Sequence, residues 1–77
     1  MYINKDIDDY YNVVRSNIKK YRHIRGYTQE KLAELSGYSV DYIQQIESIK
    51  RNKYFSYRFI IIMSKVLNVD LIRLIEF

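Results

Sequence analysis

The sequence predicts an all-α fold of five helices, and three observations lead to this prediction. Apolar residues recur every three or four positions, first between Ile7 and Tyr21 and then in several shorter segments, which is the spacing of one helix face. No stretch shows the alternation of apolar and polar residues that is typical of a strand. The chain has no proline and only two glycines, Gly26 and Gly37, so few positions interrupt a helix. With 77 residues, 48% of them apolar, residues 1–77 are expected to form a single domain.

The first predicted helix is long and ends at Gly26. Its apolar stripe has intervals of four, three, four and three residues and consists of Ile7, Tyr11, Val14, Ile18 and Tyr21. Aspartates near its start and arginines near its end suit the helix dipole.

Two short helices follow, and Gly37 lies between them. Thr28 is a suitable N-cap for helix 2, which is expected to end near Ser36, and Ser39 is a suitable N-cap for helix 3, about Val40 to Ser48. A glycine after helix 2 can adopt a left-handed conformation at little cost and turn the chain sharply. Two short helices joined by such a turn form the helix-turn-helix unit, whose second helix fits the DNA major groove.

Two further helices complete the prediction. Helix 4 is expected from about Ser56 to Leu67, with apolar residues at i, i+1, i+4 and i+8, namely Phe59, Ile60, Met63 and Leu67. Asp70 is expected to cap a short fifth helix, whose apolar residues are Leu71, Leu74 and Ile75.

The net charge of +4 is unevenly distributed along the chain. Residues 1–11 carry one lysine against three aspartates, a net charge of −2, so the rest of the chain carries +6. The basic residues form two clusters: Arg15, Lys19, Lys20, Arg22 and Arg25, and then Lys50, Arg51, Lys53 and Arg58. A basic surface suits a polyanion such as nucleic acid. The alternative is a solvated helix face and a solvated loop.

Several other classes of protein and site are not expected. The absence of cysteine excludes disulfides and thiolate metal sites and fits a reducing cytosol, so a cytoplasmic location is predicted. The N-terminal segment is acidic, unlike a signal peptide, and the longest apolar run, residues 59–63, is too short to cross a membrane. With one histidine, His23, no glycine-rich phosphate loop and no suggestive spacing of carboxylates, we expect no enzyme activity, no cofactor and no metal.

The order of several residues resembles the Cro/cI-type helix-turn-helix family, also called lambda-repressor-like or XRE. The motif TQxxLAxxxG begins at Thr28 and ends at Gly37, and Glu47 follows ten residues later. The resemblance covers about Val14 to Ile75 and leaves residues 1–13 as an N-terminal extension of helix 1. It implies a lambda-repressor-like bundle and a sequence-specific transcriptional regulator, with double-stranded DNA as partner and a homodimer as the expected assembly. Neither a membrane nor a small-molecule effector is expected as a partner.

The resemblance also implies roles for individual residues. Ile43 and Ile46 are expected to face inward, and base contacts are expected from the outward residues of helix 3: Val40, Asp41, Gln44 and Gln45. Phosphate contacts are expected from Gln29, Ser39, Tyr42, Lys50, Arg51, Asn52 and Lys53. Arg22 and Glu47 are expected to form an internal ion pair that fixes the angle of helix 3.

Three of these roles have alternatives. Gln29 either bonds a phosphate or simply caps helix 2. Asp41 either accepts a hydrogen bond from a cytosine amino group or interacts with the dipole of helix 3. Tyr42, like its neighbour Tyr38, either contacts the sugar-phosphate backbone or shields the turn.

The sequence departs from the family pattern at both ends of the motif. After Glu47 the usual glycine is replaced by Ile49, the usual proline is absent, and the connection to helix 4 is about three residues longer. Helix 3 therefore either ends near Ser48 or extends toward Asn52. The N-terminal extension, with its tyrosines at positions 2, 10 and 11, either packs on the core or forms a partner surface.

The C-terminal segment LIRLIEF has more apolar residues than one buried face needs. Ile72 and Phe77 are therefore expected either to form a dimer contact or to fold back onto helix 1. The acidic N-terminus, Asp41 and the nine tyrosines leave a second function open. This is a protein-interaction module of antirepressor or antitoxin-like type, with weak or non-specific DNA binding.

Overall fold

The computed structural model describes residues 4–77 and contains five α-helices in this range. They are α1 (Asn4–Ile24), α2 (Gln29–Ser36), α3 (Val40–Glu47), α4 (Tyr57–Leu67) and α5 (Leu71–Ile75). The described residues contain no strand, so the all-α prediction is confirmed. None of these helices is both long enough and apolar enough to cross a membrane.

Side-chain caps begin α2, α3 and α4. The hydroxyl of Thr28 accepts a hydrogen bond from the backbone N–H of Lys31, and Ser39 and Ser56 make the equivalent bonds for α3 and α4. Asp70 is different, because it precedes α5 in an extended conformation but makes no side-chain cap bond. The predicted N-cap position of Asp70 is therefore confirmed, but its carboxylate contributes no hydrogen bond to the helix end.

Gly37 ends α2 as the sequence predicts. Its φ is 81°, in the left-handed region, and its backbone N–H donates to the carbonyl of Ala33 at 2.9 Å. Glycine adopts this conformation without the steric penalty of a Cβ. The chain then enters α3 after only two further residues.

Helix α3 ends at Glu47, and the alternative in which it extends toward Asn52 is wrong. Ser48 has an extended backbone, with ψ at 115°, and a turn follows in which Asn52 has a φ of 49°. The guanidinium of Arg15 donates to the carbonyl of Ile46 at 2.6 Å. A continuing helix would use that carbonyl for the N–H of residue 50, so Arg15 supplies a substitute partner where the helix ends.

One core joins the helices. Helix α1 packs against α3, α4 and α5, and α2 packs against α3 and α4. The buried apolar residues are Val14, Ile18, Leu32, Ala33, Ile43, Ile46, Phe55, Phe59, Met63, Leu67 and Leu74. Phe55 belongs to no helix and comes from the connection between α3 and α4, here called the 48–56 loop. This loop is therefore anchored in the core at its C-terminal end.

Only some residues of the first basic cluster, residues 15–25, lie at the protein surface. Arg15 is completely buried and Arg22 is 6% exposed. Arg25 donates to the carbonyls of Leu67 and Asn68 at 2.6 and 2.8 Å. The interpretation of this cluster as a polyanion-binding face is therefore wrong for Arg15, whereas Arg22 forms the internal ion pair with Glu47 that the sequence predicts. Both lie on the buried face of α1, because they stand three residues before and four residues after Ile18.

Candidate nucleic-acid interface

The outward face of α3 carries the side chains predicted to contact bases. Asp41 and Gln44 are exposed, and Gln45 is half-buried. Val40 is also half-buried and packs against the core, so it presents less surface than the other three. Ile43 and Ile46 are each 1% exposed, and these two inward residues fix which side of α3 faces outward.

A polar depression on this face brings in a residue from outside α3. It is lined by Asp41, Gln44, Gln45 and Arg51. Arg51 is predicted from the sequence to contact a phosphate, and it lies beside three of the four residues predicted to contact bases. The turn at residues 49–52 causes this arrangement, because it folds the chain back beside α3 instead of continuing the helix.

A buried charged cluster connects the three helices that position this face. Arg22 binds Glu47 through two contacts, from Nε to Oε2 at 2.7 Å and from Nη2 to Oε1 at 3.0 Å. Arg22 also donates to the carbonyl of Tyr27 at 2.9 Å. Gln29, at the start of α2, donates from Nε2 to Glu47 Oε1 at 3.0 Å. The carboxylate at the end of α3 is thus held by both α1 and α2.

Gln29 does not cap α2, because Thr28 takes that role. Its amide instead donates to the Glu47 carboxylate. Gln29 remains half-buried at the N-terminal end of α2. Its contact with a phosphate stays a prediction.

An aromatic group covers the turn between α2 and α3. The rings of Tyr38 and Tyr42 stack with centroids 5.1 Å apart, and both meet the edge or face of Phe59 at 5.0 and 5.6 Å. Lys53 Nζ lies 5.5 Å from the centroid of the Tyr42 ring. Burial, and to a lesser degree the neighbouring Tyr38, raise the pKa of Tyr42 above its usual value. A tyrosine hydroxyl is protonated at neutral pH, so the Tyr42 hydroxyl can donate to a phosphate.

The remaining residues predicted to contact phosphates have different surroundings. Lys50 is exposed on the turn, and Ser39 uses its hydroxyl to cap α3. Asn52 donates from Nδ2 to Asp8 Oδ2 at 3.1 Å, so part of its hydrogen-bonding capacity is already used inside the protein.

Comparison with known proteins agrees with this geometry. A family model described as Helix-turn-helix matches residues 18–74. This chain is a member of the XRE-type helix-turn-helix family. Control protein C.SmaI of Serratia marcescens is 36% identical over 67 residues, which cover 87% of this chain and 77% of the relative. No solved structure gives a significant match. Family membership and this relative identify the chain as a DNA-binding transcription regulator.

Two residues of this XRE-family protein were missed as organisers of the interface. Arg15 donates to the carbonyls of Ile46 and Lys53 at 2.6 and 2.9 Å, and Asp8 accepts from Asn52 and Tyr54. The available signal was spacing, because residues 8, 11 and 15 are separated by three and four positions and share one face of α1.

An apolar surface lies away from the helix-turn-helix, where α5 packs on α1 and α4. Ile72 is 62% exposed and Phe77 is 81% exposed, although the Phe77 ring also lies with its centroid 5.1 Å from that of Tyr10 on α1. Phe77 therefore folds back onto α1 in part, through its contact with Tyr10, whereas Ile72 stays exposed. In the extension, Tyr11 packs on Phe55 while Tyr10 is exposed. Tyr2 lies outside the described residues.

Proposed function

We propose that this protein is a sequence-specific transcriptional regulator that binds double-stranded DNA as a homodimer and reads the major groove with α3. The observation that carries the proposal is the polar depression in which Asp41, Gln44 and Gln45 meet Arg51. The major groove accepts one α-helix, and glutamine pairs well with adenine whereas arginine pairs well with guanine. Arg51 in this depression therefore extends the reading surface beyond α3 itself.

Phosphate contacts would hold α3 in the groove. Gln29 and Ser39 lie at the N-terminal ends of α2 and α3, where backbone N–H groups and the helix dipole favour an anion. Lys50 and Lys53 add positive charge beside α3, and Tyr42 supplies a hydroxyl donor. The net charge of +6 outside residues 1–11 supports binding of a polyanion.

The proposed homodimer uses the apolar surface around Ile72 and Phe77. One helix-turn-helix unit buries little surface on DNA, and two units reading half-sites about one helical turn apart gain affinity and specificity together. Helix α5 packs on α1 and α4, so a contact through this surface would leave the outward face of α3 uncovered. The name of the relative, a control protein, fits a regulatory role for this chain.

Selection from random-sequence duplexes tests this function. The salt concentration is set at about 150 mM, because phosphate contacts alone bind weakly there. We expect an enriched inverted repeat with half-site centres roughly 10 base pairs apart. Retention of DNA without enrichment would contradict sequence-specific reading. Failure to retain any DNA would favour the protein-interaction module instead.

A further inference from the structure

One face of α1 holds the 48–56 loop from outside the helix-turn-helix. The loop contains no helix and, within itself, one backbone hydrogen bond, from Asn52 N–H to the carbonyl of Ile49 at 3.1 Å. It nevertheless presents Lys50 and Arg51 beside α3. A segment with so few bonds of its own needs external contacts to keep one conformation.

The first external contact is the carboxylate of Asp8. It accepts from Tyr54 Oη at 2.6 Å and from Asn52 Nδ2 at 3.1 Å. The hydrogen bond to Asp8 raises the pKa of Tyr54 above its usual value, with smaller contributions from burial and nearby charge. The Tyr54 hydroxyl therefore remains a donor at neutral pH. One carboxylate thus joins two positions of the loop to α1.

The second contact is aromatic. The ring of Tyr11 stacks on Tyr54, with centroids 4.6 Å apart, and meets Phe55 in a T-shaped arrangement at 4.8 Å. Such pairs stabilise beyond the area they bury. Tyr11 therefore holds the loop one helical turn along α1 from Asp8.

The third contact is the buried guanidinium of Arg15. It donates to the carbonyls of Ile46 and Lys53 at 2.6 and 2.9 Å and lies 5.6 Å from the centroid of Phe55. Burial lowers the pKa of Arg15, while the charge of Asp8 acts in the opposite direction. Arg15 spans the loop, because it binds the last turn of α3 and the chain that returns toward α4.

These contacts join the loop to residues outside the matched part of the chain. Asp8, Tyr11 and Arg15 all precede residues 18–74, which the family model matches. The contacts lie at residue 46 and at residues 52–55, so the exposed Lys50 and Arg51 stand between two fixed points.

We propose that Asp8, Tyr11 and Arg15 form a brace that holds the 48–56 loop in its DNA-binding conformation. The brace acts on DNA affinity through Lys50 and Arg51, and Arg15 is a positioning residue that does not contact DNA. This proposal rests on the proposed DNA-binding function.

The substitution Tyr54→Phe tests the brace without changing any charge near the DNA. It removes the hydroxyl that binds Asp8 and keeps the aromatic ring. The matched control is Tyr57→Phe, which removes an exposed hydroxyl from α4. We expect Tyr54→Phe to weaken binding to the selected operator by about three- to tenfold, the range that one solvent-exposed hydrogen bond contributes, and Tyr57→Phe to bind normally.

A double-mutant cycle separates positioning from general stability. In a protein that already carries Lys50→Ala and Arg51→Ala, Tyr54→Phe should have no further effect on DNA affinity, because the residues it positions are gone. A loss of the same size in both backgrounds would overturn the proposal. So would normal operator binding by Tyr54→Phe.

Hydrogen exchange gives a second readout that needs no DNA. Arg15→Lys keeps the positive charge but loses the planar fork that binds two carbonyls, and Tyr54→Phe serves if this variant does not fold. We expect faster amide exchange at Asn52, whose N–H is bonded to the carbonyl of Ile49, with unchanged exchange in α2. Unchanged exchange at Asn52 would overturn the brace. If the native protein retained no DNA, the proposed function would fail, and the exchange result would show separately whether the brace holds the loop.

Discussion

The buried ion pair between Arg22 and Glu47 provides the sharpest test of how α3 is held. Their side chains are 8% and 3% exposed, so neither charge is well solvated. The substitution Arg22→Met removes one partner and leaves the Glu47 carboxylate buried with Gln29 as its remaining donor. Breaking a buried pair in this way costs about 3–5 kcal/mol.

The structure reduces this cost slightly. The bond from Gln29 Nε2 to Glu47 Oε1 survives the substitution and offsets about 1 kcal/mol, so we expect a net loss of about 2–4 kcal/mol. A domain of this length has about 4–12 kcal/mol of unfolding free energy at typical values per residue. The variant should therefore lose a large share of its stability.

Urea unfolding followed by circular dichroism at 222 nm measures this loss. The double substitution Arg22→Met with Glu47→Leu should recover to within about 1 kcal/mol of the native protein, because no unpaired charge stays buried. The control is the exposed pair of Lys31 and Glu34, whose charged atoms are 3.6 Å apart. Lys31→Met should cost less than about 0.5 kcal/mol.

Two results would refute this reasoning. One is a loss below about 1 kcal/mol for Arg22→Met, the size expected of a solvated pair. The other is a double variant no more stable than the single one. If the pair fixes the angle of α3, the double variant should also bind the operator more weakly than its recovered stability suggests.

Four further predictions follow from the same structure. Gly37→Ala should lower the free energy of unfolding in urea by about 1–2 kcal/mol, because an alanine is strained at a φ of 81°. No steric clash adds to this cost, since nothing lies within 4 Å of the added Cβ, and an unchanged midpoint would contradict the left-handed turn. In binding titrations, Gln45→Ala should relax preference at one base pair by roughly 1–3 kcal/mol, whereas Lys50→Ala should weaken all sequences alike. A dimer that neutralises about six to eight phosphates should give a slope of log K against log salt near −5 to −7, and a slope near −1 would exclude two docked units. Phe77→Ser should shift sedimentation toward the monomer, and an unchanged sedimentation coefficient would remove this residue from the dimer contact.

The helices and their order could be predicted from the sequence because their determinants are local. The stripe from Ile7 to Tyr21, the caps Thr28 and Ser39, and the left-handed Gly37 each act within a few residues of where they stand. The helix-turn-helix motif is itself a short segment with fixed spacing. These features gave the fold and the family before any long-range contact was known.

The interface depended on contacts that local rules do not describe. Arg15 meets Ile46 and Lys53, which are 31 and 38 positions away, and Asp8 meets Asn52 and Tyr54 across 44 and 46 positions. The spacing of Arg15 from Ile18 is compatible with the buried face of α1, but the sequence was interpreted as a basic surface, because the carbonyls that accept from this guanidinium are distant along the chain.

The sequence by itself determined that this chain forms five helices and which residues of α3 face inward, since periodicity, caps and glycine conformation are encoded residue by residue. Only the tertiary structure decided where α3 ends, that Arg51 lies beside the outward face of α3, and that α1 contacts the basic loop. Where no glycine or proline ends a helix, its last residue depends on which other groups donate hydrogen bonds to the last carbonyls. In α3 the buried guanidinium of Arg15 donates to the carbonyl of Ile46.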